Sequence, residues 1–153
     1  MTLKFRLQRV LDLRCSQEEL AKKELACREG DYQQATRQLN LLLDDEERLW
    51  ELIREQQAEE IDLLQLRQIC EYNADLKEQL QDQEEKRQEC LSQLERQRIA
   101  VKACWQKRRV LEILRGKAAA EHKELLDNRE QRSLDEIVLF SFTGGATESN
   151  PFP

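Results

Sequence analysis

Proline is missing from almost the whole chain, and this feature restricts the possible folds more than any other. Pro151 and Pro153 stand at the very end, and Gly30 and Gly116 are the only glycines before Gly144. Because proline breaks a helix interior and glycine weakens it, their near-absence permits helix almost throughout. The chain is therefore predicted to be all-α.

The composition indicates that these helices bury a narrow stripe rather than a globular core. Of 153 residues, 56 are Lys, Arg, Asp or Glu, and only 5% are aromatic. Long helices that pack on a partner helix typically have this composition, and a charged disordered chain is the alternative. The spacing of apolar residues separates the two, because a disordered chain keeps no periodicity.

An apolar heptad pattern runs through the second half of the chain. Its seam, the stripe that faces a partner helix, falls at positions 66, 69, 73, 76, 80, 83, 87, 90, 94, 97, 101, 104, 108, 111, 115, 118, 122 and 125. Eleven of these eighteen positions are apolar, which predicts a coiled coil. The polar exceptions are Asn73, Gln83, Arg87, Gln97, Arg108, Arg115 and His122.

A shorter seam occupies the first half and lapses between Arg14 and Glu24. It consists of Leu25, Tyr32, Ala35, Leu39, Leu42, Leu49 and Ile53.

The two seams are separated by a polar stretch in which a chain reversal is expected. Asp62, followed three residues later by Gln65, resembles a helix N-cap with its capping partner. We predict a helix over 3–58, a connection at 59–62 and a second helix over 63–140. So short a connection makes the helices antiparallel, as a rod-like coiled-coil hairpin that buries its own seam and is a monomer in isolation. Residues 141–153, rich in Gly, Ser, Thr and Pro, are expected to be a flexible tail.

Charge is distributed unevenly along the sequence. Residues 44–90 hold 16 acidic and 6 basic side chains, whereas residues 96–132 hold 11 basic and 5 acidic ones. Residues 1–14 add four basic side chains against one acidic residue. In an antiparallel hairpin both basic segments lie at the end that carries the termini, and the acidic segment lies at the turn.

No motif points to catalysis, a metal or a cofactor. The sequence has no glycine-rich phosphate loop and no nucleophile elbow, its five cysteines form no Cys-x-x-Cys pair, and its single histidine, His122, stands on the seam. We therefore expect no enzyme, no catalytic residue, no metal site and no cofactor. Lys4, Arg6 and Arg9 interrupt any apolar leader, and no apolar run reaches membrane-spanning length, so a cytoplasmic location is expected.

Two segments are candidate partner surfaces. Residues 105–117, which include Arg108 and Arg109, form a basic amphipathic stretch that suits an acidic protein groove or a membrane surface, or is simply a solvated flank. Nucleic acid is disfavoured, because the chain is acidic overall and lacks stacking aromatics here. Near the turn, Leu43, Trp50 and Tyr72 fall off the seam and predict an exposed apolar and aromatic patch.

The two ends of the sequence resemble the bacterial flagellar export protein FliJ family. The resemblance lies in Phe5-Arg6-Leu7-Gln8-Arg9-Val10-Leu11-Asp12-Leu13-Arg14, in Leu111-Glu112-Ile113-Leu114, and in Glu130-Gln131-Arg132-Ser133-Leu134-Asp135-Glu136-Ile137. It extends over about residues 2–140.

This resemblance implies a stalk-like component of the flagellar type III export apparatus. Its implied partners are the hexameric export ATPase, which it enters and activates, the membrane export gate protein and the export chaperones. Its implied location is the cytoplasm, peripheral to the inner face of the membrane at the flagellar base. By position, the ATPase contact would comprise Phe5, Arg6, Gln8, Arg9, Leu11, Leu134, Asp135 and Glu136, to which we add the basic Arg108 and Arg109. The gate contact would comprise Gln38, Leu42, Leu49, Tyr72 and Leu76, to which we add the off-seam Leu43 and Trp50.

Other functions fit the same residues. A generic scaffold would oligomerise through the seam and contact no ATPase, and a membrane-docking protein would use the basic amphipathic helix. The equivalent stalk of a virulence type III secretion system shares the architecture of the flagellar one.

Overall fold

Two long helices account for nearly all of the chain in the computed structural model, which describes residues 2–57, 60 and 62–144. Helix α1 spans Gln8–Gln56 and helix α2 spans Leu63–Gly144. No strand occurs within these described residues. Contacts divide the chain into two compact units. We call residues 16–105 the hairpin unit, and residues 2–15 with 106–144 the terminal unit.

Within the hairpin unit the helices pack antiparallel. Side-chain hydrogen bonds join Gln97 to the carbonyl of Ala21 at 3.0 Å and Gln83 to the carbonyl of Ala35 at 3.2 Å. A lower residue number on α2 is thus paired with a higher one on α1. This pairing requires that the two helices run in opposite directions. The predicted all-α fold of two antiparallel helices is confirmed.

Burial in the hairpin unit follows the predicted seam. Every predicted seam position from 69 to 104 on α2, and every one from 25 to 53 on α1, is buried or half-buried. The deepest apolar side chains keep only a few per cent of their surface exposed; they are Ala35, Leu49, Leu76 and Leu94. A heptad stripe buries side chains in this way only against a second helix, so the periodicity alone located this core.

The predicted lapse between Arg14 and Glu24 was wrong. Along α1 the seam continues through Arg14, Glu18 and Ala21, and Glu18 is 3% exposed. The Nζ atom of Lys22, one turn along α1, lies 3.3 Å from a carboxylate oxygen of Glu18. The heptad positions therefore stay buried along this stretch even where they hold charged residues. A carboxylate can occupy a core position when it is paired with a positive charge.

The start of α2 agrees with the predicted N-cap. The backbone N–H of Leu64 donates to Oδ1 of Asp62 at 3.5 Å, and the N–H of Leu66 donates to the Asp62 carbonyl at 3.1 Å. The Leu64 N–H is one of the first-turn amides that have no acceptor within the helix, and the Asp62 carbonyl accepts the first hydrogen bond of the helix. Of the predicted connection at 59–62, residues 59 and 61 lie outside the described residues.

The other helix ends differ from the prediction. Helix α1 begins at Gln8 rather than at residue 3, after a turn in which the Gln8 N–H donates to the Phe5 carbonyl at 3.1 Å. Helix α2 continues through residues 141–144, which we had assigned to the tail. The hydroxyls of Ser141 and Thr143 bond back to carbonyls three and four residues earlier, an arrangement that a helix accommodates. The rest of the predicted tail, 145–153, lies outside the described residues.

Candidate partner-binding surfaces

In the terminal unit, a basic groove lies beside the extended start of the chain. Four of its seven lining side chains are cationic, and the others are two apolar residues and one amide. The lining residues are Leu3, Lys4, Phe5, Arg6, Gln8, Arg9 and Arg115. A groove with this charge and an apolar element is complementary to an acidic segment of a partner.

This groove brings together four of the residues predicted to contact an ATPase: Phe5, Arg6, Gln8 and Arg9. Leu11, one turn further along, is only 3% exposed and belongs to the core of the unit. Leu11 is therefore not part of the groove surface.

Arg108 and Arg109 are both engaged by one carboxylate. Glu112 forms an ion pair with Arg108, and its second oxygen lies 3.3 Å from Nη1 of Arg109. The hydrogen bond from Arg108 is the main cause that lowers the pKa of Glu112, and Arg109 adds to it. The Arg108 side chain is 20% exposed and that of Arg109 is 55% exposed. Arg109 is thus the more accessible of the two predicted contact residues.

The remaining predicted ATPase contacts lie elsewhere in the terminal unit. Leu134, Asp135 and Glu136 are all exposed on α2. They follow Arg115 by about twenty residues, which is roughly 30 Å along a helix. The terminal unit therefore presents two separate candidate surfaces, where the sequence had suggested one.

In the hairpin unit, two open grooves flank the seam near the connection. The first, which we call the Tyr72 groove, is lined by Leu49, Leu52, Gln56, Gln65, Gln68, Ile69 and Tyr72. The second, the Trp50 groove, is lined by Trp50, Ile53, Gln56, Leu66, Ile69, Cys70 and Asn73. Gln56 and Ile69 line both grooves and so lie between them.

The grooves correct our prediction of one patch made by Leu43, Trp50 and Tyr72. All three side chains are exposed, at 45%, 44% and 51%. Trp50 and Tyr72, however, lie in different grooves on opposite flanks of the seam. The heptad positions already contained this difference, because Trp50 directly follows the seam residue Leu49 whereas Tyr72 directly precedes the seam residue Asn73, and these two kinds of position lie on opposite flanks of a seam.

Acidic side chains lie next to Trp50 on the surface of the hairpin unit. Leu43 and Trp50 line a shared concavity in which the other residues are Glu46, Glu47, Glu51 and Arg54. This surface therefore combines exposed apolar groups with negative charge, in contrast to the basic groove of the terminal unit.

Several of the predicted gate-contact residues are parts of the core. Leu49 and Leu76 are 7% and 4% exposed, and Leu42 is half-buried. Gln38 is exposed, but its Oε1 accepts a hydrogen bond from Gln83 at 3.3 Å. A partner that binds the folded hairpin unit meets Leu43, Trp50 and Tyr72 far more readily than Leu49 or Leu76.

The sequence reasoning missed several exposed residues in or near these surfaces. Near the connection Leu52, Leu63 and Leu64 are 45%, 83% and 62% exposed. The sequence could have indicated this exposure, because each of the three is a leucine off the seam. In the terminal unit Lys4 and Arg115 line the basic groove. Arg115 had been placed on the seam, and only the packing of residues 3–9 revealed its role.

The described part of the chain offers no helix with the length and apolar character needed to cross a membrane. Nor does any group of three or more His, Cys, Asp or Glu side chains among these residues have the arrangement of a metal site.

Comparison with protein families gives a match over nearly the whole chain. The sequence model of the family described as flagellar FliJ protein matches residues 3–146. The chain belongs to the FliJ family. Membership of the FliJ family indicates a flagellar protein related to export, and the match includes every residue of the surfaces described above. Searches of curated proteins and of solved structures found no match.

Proposed function

We propose that this FliJ-family protein is a stalk-like component of the flagellar type III export apparatus. In this proposal it enters and activates the hexameric export ATPase, and it links the ATPase to the membrane export gate and to export chaperones. It is itself no enzyme, and it acts in the cytoplasm at the inner face of the membrane. The family match over residues 3–146 carries the proposal.

The basic groove of the terminal unit supports the contact with the ATPase. Lys4, Arg6, Arg9 and Arg115 place four positive charges around an apolar element, and Arg109 is exposed on the same unit. Electrostatic complementarity of this kind accelerates encounter with an acidic surface and orients the partner on it. We infer that the groove receives an acidic segment of the ATPase.

The two grooves near the connection support the contact with the export gate. Trp50 and Tyr72 are aromatic side chains that lie half in water on opposite flanks of the seam. Partly exposed aromatic residues are the kind that dominate binding energy at interfaces. A partner that binds in both grooves would contact the hairpin unit at Gln56 and Ile69, which line both of them.

Reversal of two charges in the basic groove tests the contact with the ATPase. In the double variant Arg6→Glu/Arg9→Glu we expect stimulation of the purified cognate ATPase to fall at least about tenfold, because like charges across an interface are repulsive by several kcal/mol. ATP hydrolysis rates measured over a range of stalk concentrations check this.

The matched control is Arg98→Glu/Lys102→Glu, which makes the same charge change at exposed positions of the hairpin unit. We expect this control to stimulate the ATPase like the wild-type chain, and both variants to keep wild-type helicity. If the wild-type chain leaves the rate of the purified ATPase unchanged at every concentration, the proposed function is wrong.

A further inference from the structure

Two residues that line the Trp50 groove carry a buried oxygen atom without a hydrogen-bond donor. The atoms are Oε1 of Gln56 and Oδ1 of Asn73. Within the described residues one other buried side-chain nitrogen or oxygen, Nε2 of His122, lacks a partner. Buried polar groups of folded proteins are nearly always hydrogen-bonded, so each exception needs an explanation. Because two of the three exceptions line one groove, the explanation is sought in that groove.

Other polar side chains of the seam have partners inside the hairpin unit. Gln83 donates to the carbonyl of Ala35, and Gln97 donates to that of Ala21. Asn73 occupies a position of the same heptad seam, yet its Oδ1 accepts no bond from the described residues. An unsatisfied oxygen is therefore not a general cost of a polar seam, and the Trp50 groove is a special place in it.

The other lining of the groove is apolar, and its surroundings are acidic. Trp50 and Leu66 belong to the lining and are each 44% exposed. Trp50 also lines the neighbouring concavity, which contains Glu46, Glu47 and Glu51. A Lys or Arg side chain suits all of these features. It donates hydrogen bonds without needing a donor, it is attracted by carboxylates, and it packs on an aromatic face.

The two oxygens lie too far apart for one side chain to reach both. The pairing of Gln83 with Ala35 sets the register, because residues of the two helices whose numbers add to 118 lie level. Asn73 is thus level with residue 45 of α1, and Gln56 lies eleven residues beyond it, or roughly 16 Å along the helix. Residues eleven apart on an α-helix face nearly the same direction, since eleven steps of about 100° exceed three turns by only about 20°. The spacing therefore fits two cationic residues on one helix of a partner.

The size and charge of the groove argue against other kinds of ligand. Its volume of about 230 Å³ is below the range of pockets that hold small molecules. Anionic lipids and nucleic acids are repelled by the carboxylates beside Trp50. A helix that lies along an apolar groove is, by contrast, a common mode of protein recognition.

We propose that the Trp50 groove binds a basic amphipathic helix of a partner protein. Two Lys or Arg residues of that helix, eleven positions apart, donate to Gln56 and Asn73, and the apolar residues between them pack on Trp50. This inference rests on the proposed function, under which the partner is the export gate protein. The exposed side chains of Trp50 and Leu66 turn aside to admit the donors to the buried oxygens.

Substitution of Asn73 by leucine tests the role of its oxygen. Asn73→Leu should have a higher melting temperature than the wild-type chain, because an apolar group replaces an unsatisfied acceptor at a seam position. It should also bind the purified cytoplasmic part of the gate at least about fivefold more weakly, because the donor loses its acceptor. Circular dichroism melts and calorimetric titration measure the two effects, which have opposite signs.

The conservative counterpart is Asn73→Asp, which keeps an acceptor of nearly the same shape and adds a negative charge. Its melting temperature should be lower than that of the wild-type chain, because a carboxylate is costly to bury. Per folded molecule it should bind the gate at least as tightly as the wild-type chain does. If Asn73 served only the packing of the seam, neither variant would change the gate affinity per folded molecule.

Reversal of two charges beside the groove tests the charge of the partner. Glu47→Lys/Glu51→Lys should weaken gate binding at least about tenfold, because it replaces attraction by repulsion. The matched control is Glu85→Lys/Glu89→Lys, which makes the same change at the same spacing on an exposed part of α2 in the hairpin unit. This control should bind the gate like the wild-type chain.

The remaining outcomes separate this inference from the proposed function. If the wild-type chain binds the gate and Asn73→Leu binds it equally well, the inference is wrong while the proposed function stands. Tighter binding by Glu47→Lys/Glu51→Lys would show that the partner is acidic and would also overturn the inference. A wild-type chain that does not bind the gate would overturn the proposed gate contact as well. Sedimentation equilibrium completes the test, because self-association that the charge-reversed variant loses would assign the groove to a second copy of the chain instead.

Discussion

At the scale of single residues, Arg87 shows how a charged side chain is accommodated in the seam. Arg87 occupies a seam position, and its Nε donates to Glu84 at 2.9 Å while its Nη1 donates to the Tyr32 hydroxyl at 3.4 Å. The hydrogen bond from Arg87 lowers the pKa of Glu84, with a smaller contribution from Gln88, and the pKa of Arg87 is raised in return. The long arginine stem covers apolar surface while its charged group reaches partners at the edge.

The lowered pKa of Glu84 predicts a pH dependence of stability. Because its folded pKa lies below the unfolded value of about 4.3, ionised Glu84 stabilises the fold above about pH 4.3, and this contribution is lost as the pH falls through the folded pKa. The variant Glu84→Gln should therefore have a slightly lower melting temperature than the wild-type chain at pH 7, and the same melting temperature near pH 2. Thermal melts followed by circular dichroism measure the difference.

The control is Glu85→Gln, which changes the exposed neighbouring carboxylate. It should leave the melting temperature at pH 7 nearly unchanged. A difference between Glu84→Gln and the wild-type chain that is as large at pH 2 as at pH 7 would contradict ionisation of Glu84 as its source.

At the scale of the helices, glutamine–alanine pairs recur across the seam of the hairpin unit. Gln83 donates to the carbonyl of Ala35 and Gln97 donates to that of Ala21. Both glutamines and both alanines are separated by fourteen residues, which is two heptads. The small alanine side chain leaves the opposing amide room to reach the helix backbone. Such a bond forms in one register only, because a shift by one heptad places Gln83 opposite the larger Arg28 or Leu42.

This pairing predicts that the glutamines fix register and monomeric state at a cost in stability. In Gln83→Leu/Gln97→Leu the alanine carbonyls keep their places in the helical backbone, so no acceptor is stranded. If each leucine stabilises the core by about 1 kcal/mol, the melting temperature should rise by roughly 4–8 °C. Sedimentation equilibrium should show a dimer fraction for this variant, whereas we expect the wild-type chain to be a monomer of 18.2 kDa.

Gln79→Leu and Gln88→Leu, made together, are the control, because both glutamines are exposed on α2. They should change the melting temperature little and leave a monomer. A lower melting temperature for the seam variant, with a mass still at 18.2 kDa, would show that the glutamines stabilise the fold and do not select its register.

At the scale of the whole molecule, the chain divides into two units with different surface chemistry. The terminal unit carries the basic groove, and the hairpin unit carries two aromatic grooves with acidic neighbours. The opposite charges of the two units suit two different partners. A partner surface that is complementary to the basic groove is repelled by the acidic side chains near Trp50.

This division predicts that the two contacts can be abolished separately. The variant Trp50→Ala/Tyr72→Ala should bind the export gate protein at least about tenfold more weakly, because exposed aromatics of this kind contribute on the order of 2 kcal/mol at an interface. Stimulation of the ATPase should survive. Calorimetric titration with the purified cytoplasmic part of the gate, and the ATPase assay, measure the two effects on the same protein.

The reciprocal control is Arg6→Glu/Arg9→Glu, which should bind the gate normally while it fails to stimulate the ATPase. A large fall in the melting temperature of Trp50→Ala/Tyr72→Ala, with unchanged gate affinity per folded molecule, would show that the aromatics serve the core instead.

The sequence alone determined the class of fold, the two helices and most of the core. The lack of proline before Pro151, the heptad spacing and the cap at Asp62 are local signals, and each acts through the backbone or through a fixed angular period. These signals located Leu76 and Leu94 in the core without any structure. The motifs at the two ends of the chain likewise carried the family resemblance.

The tertiary structure decided which side chains share a surface. Arg115 joined the basic groove with residues 3–9, because contacts between segments far apart in the sequence set this placement and no local pattern encodes them. The packing also made Glu18 a core residue. A heptad shows that a helix has a stripe to bury, but only the partner helix determines where along the chain that stripe is covered and where it stops.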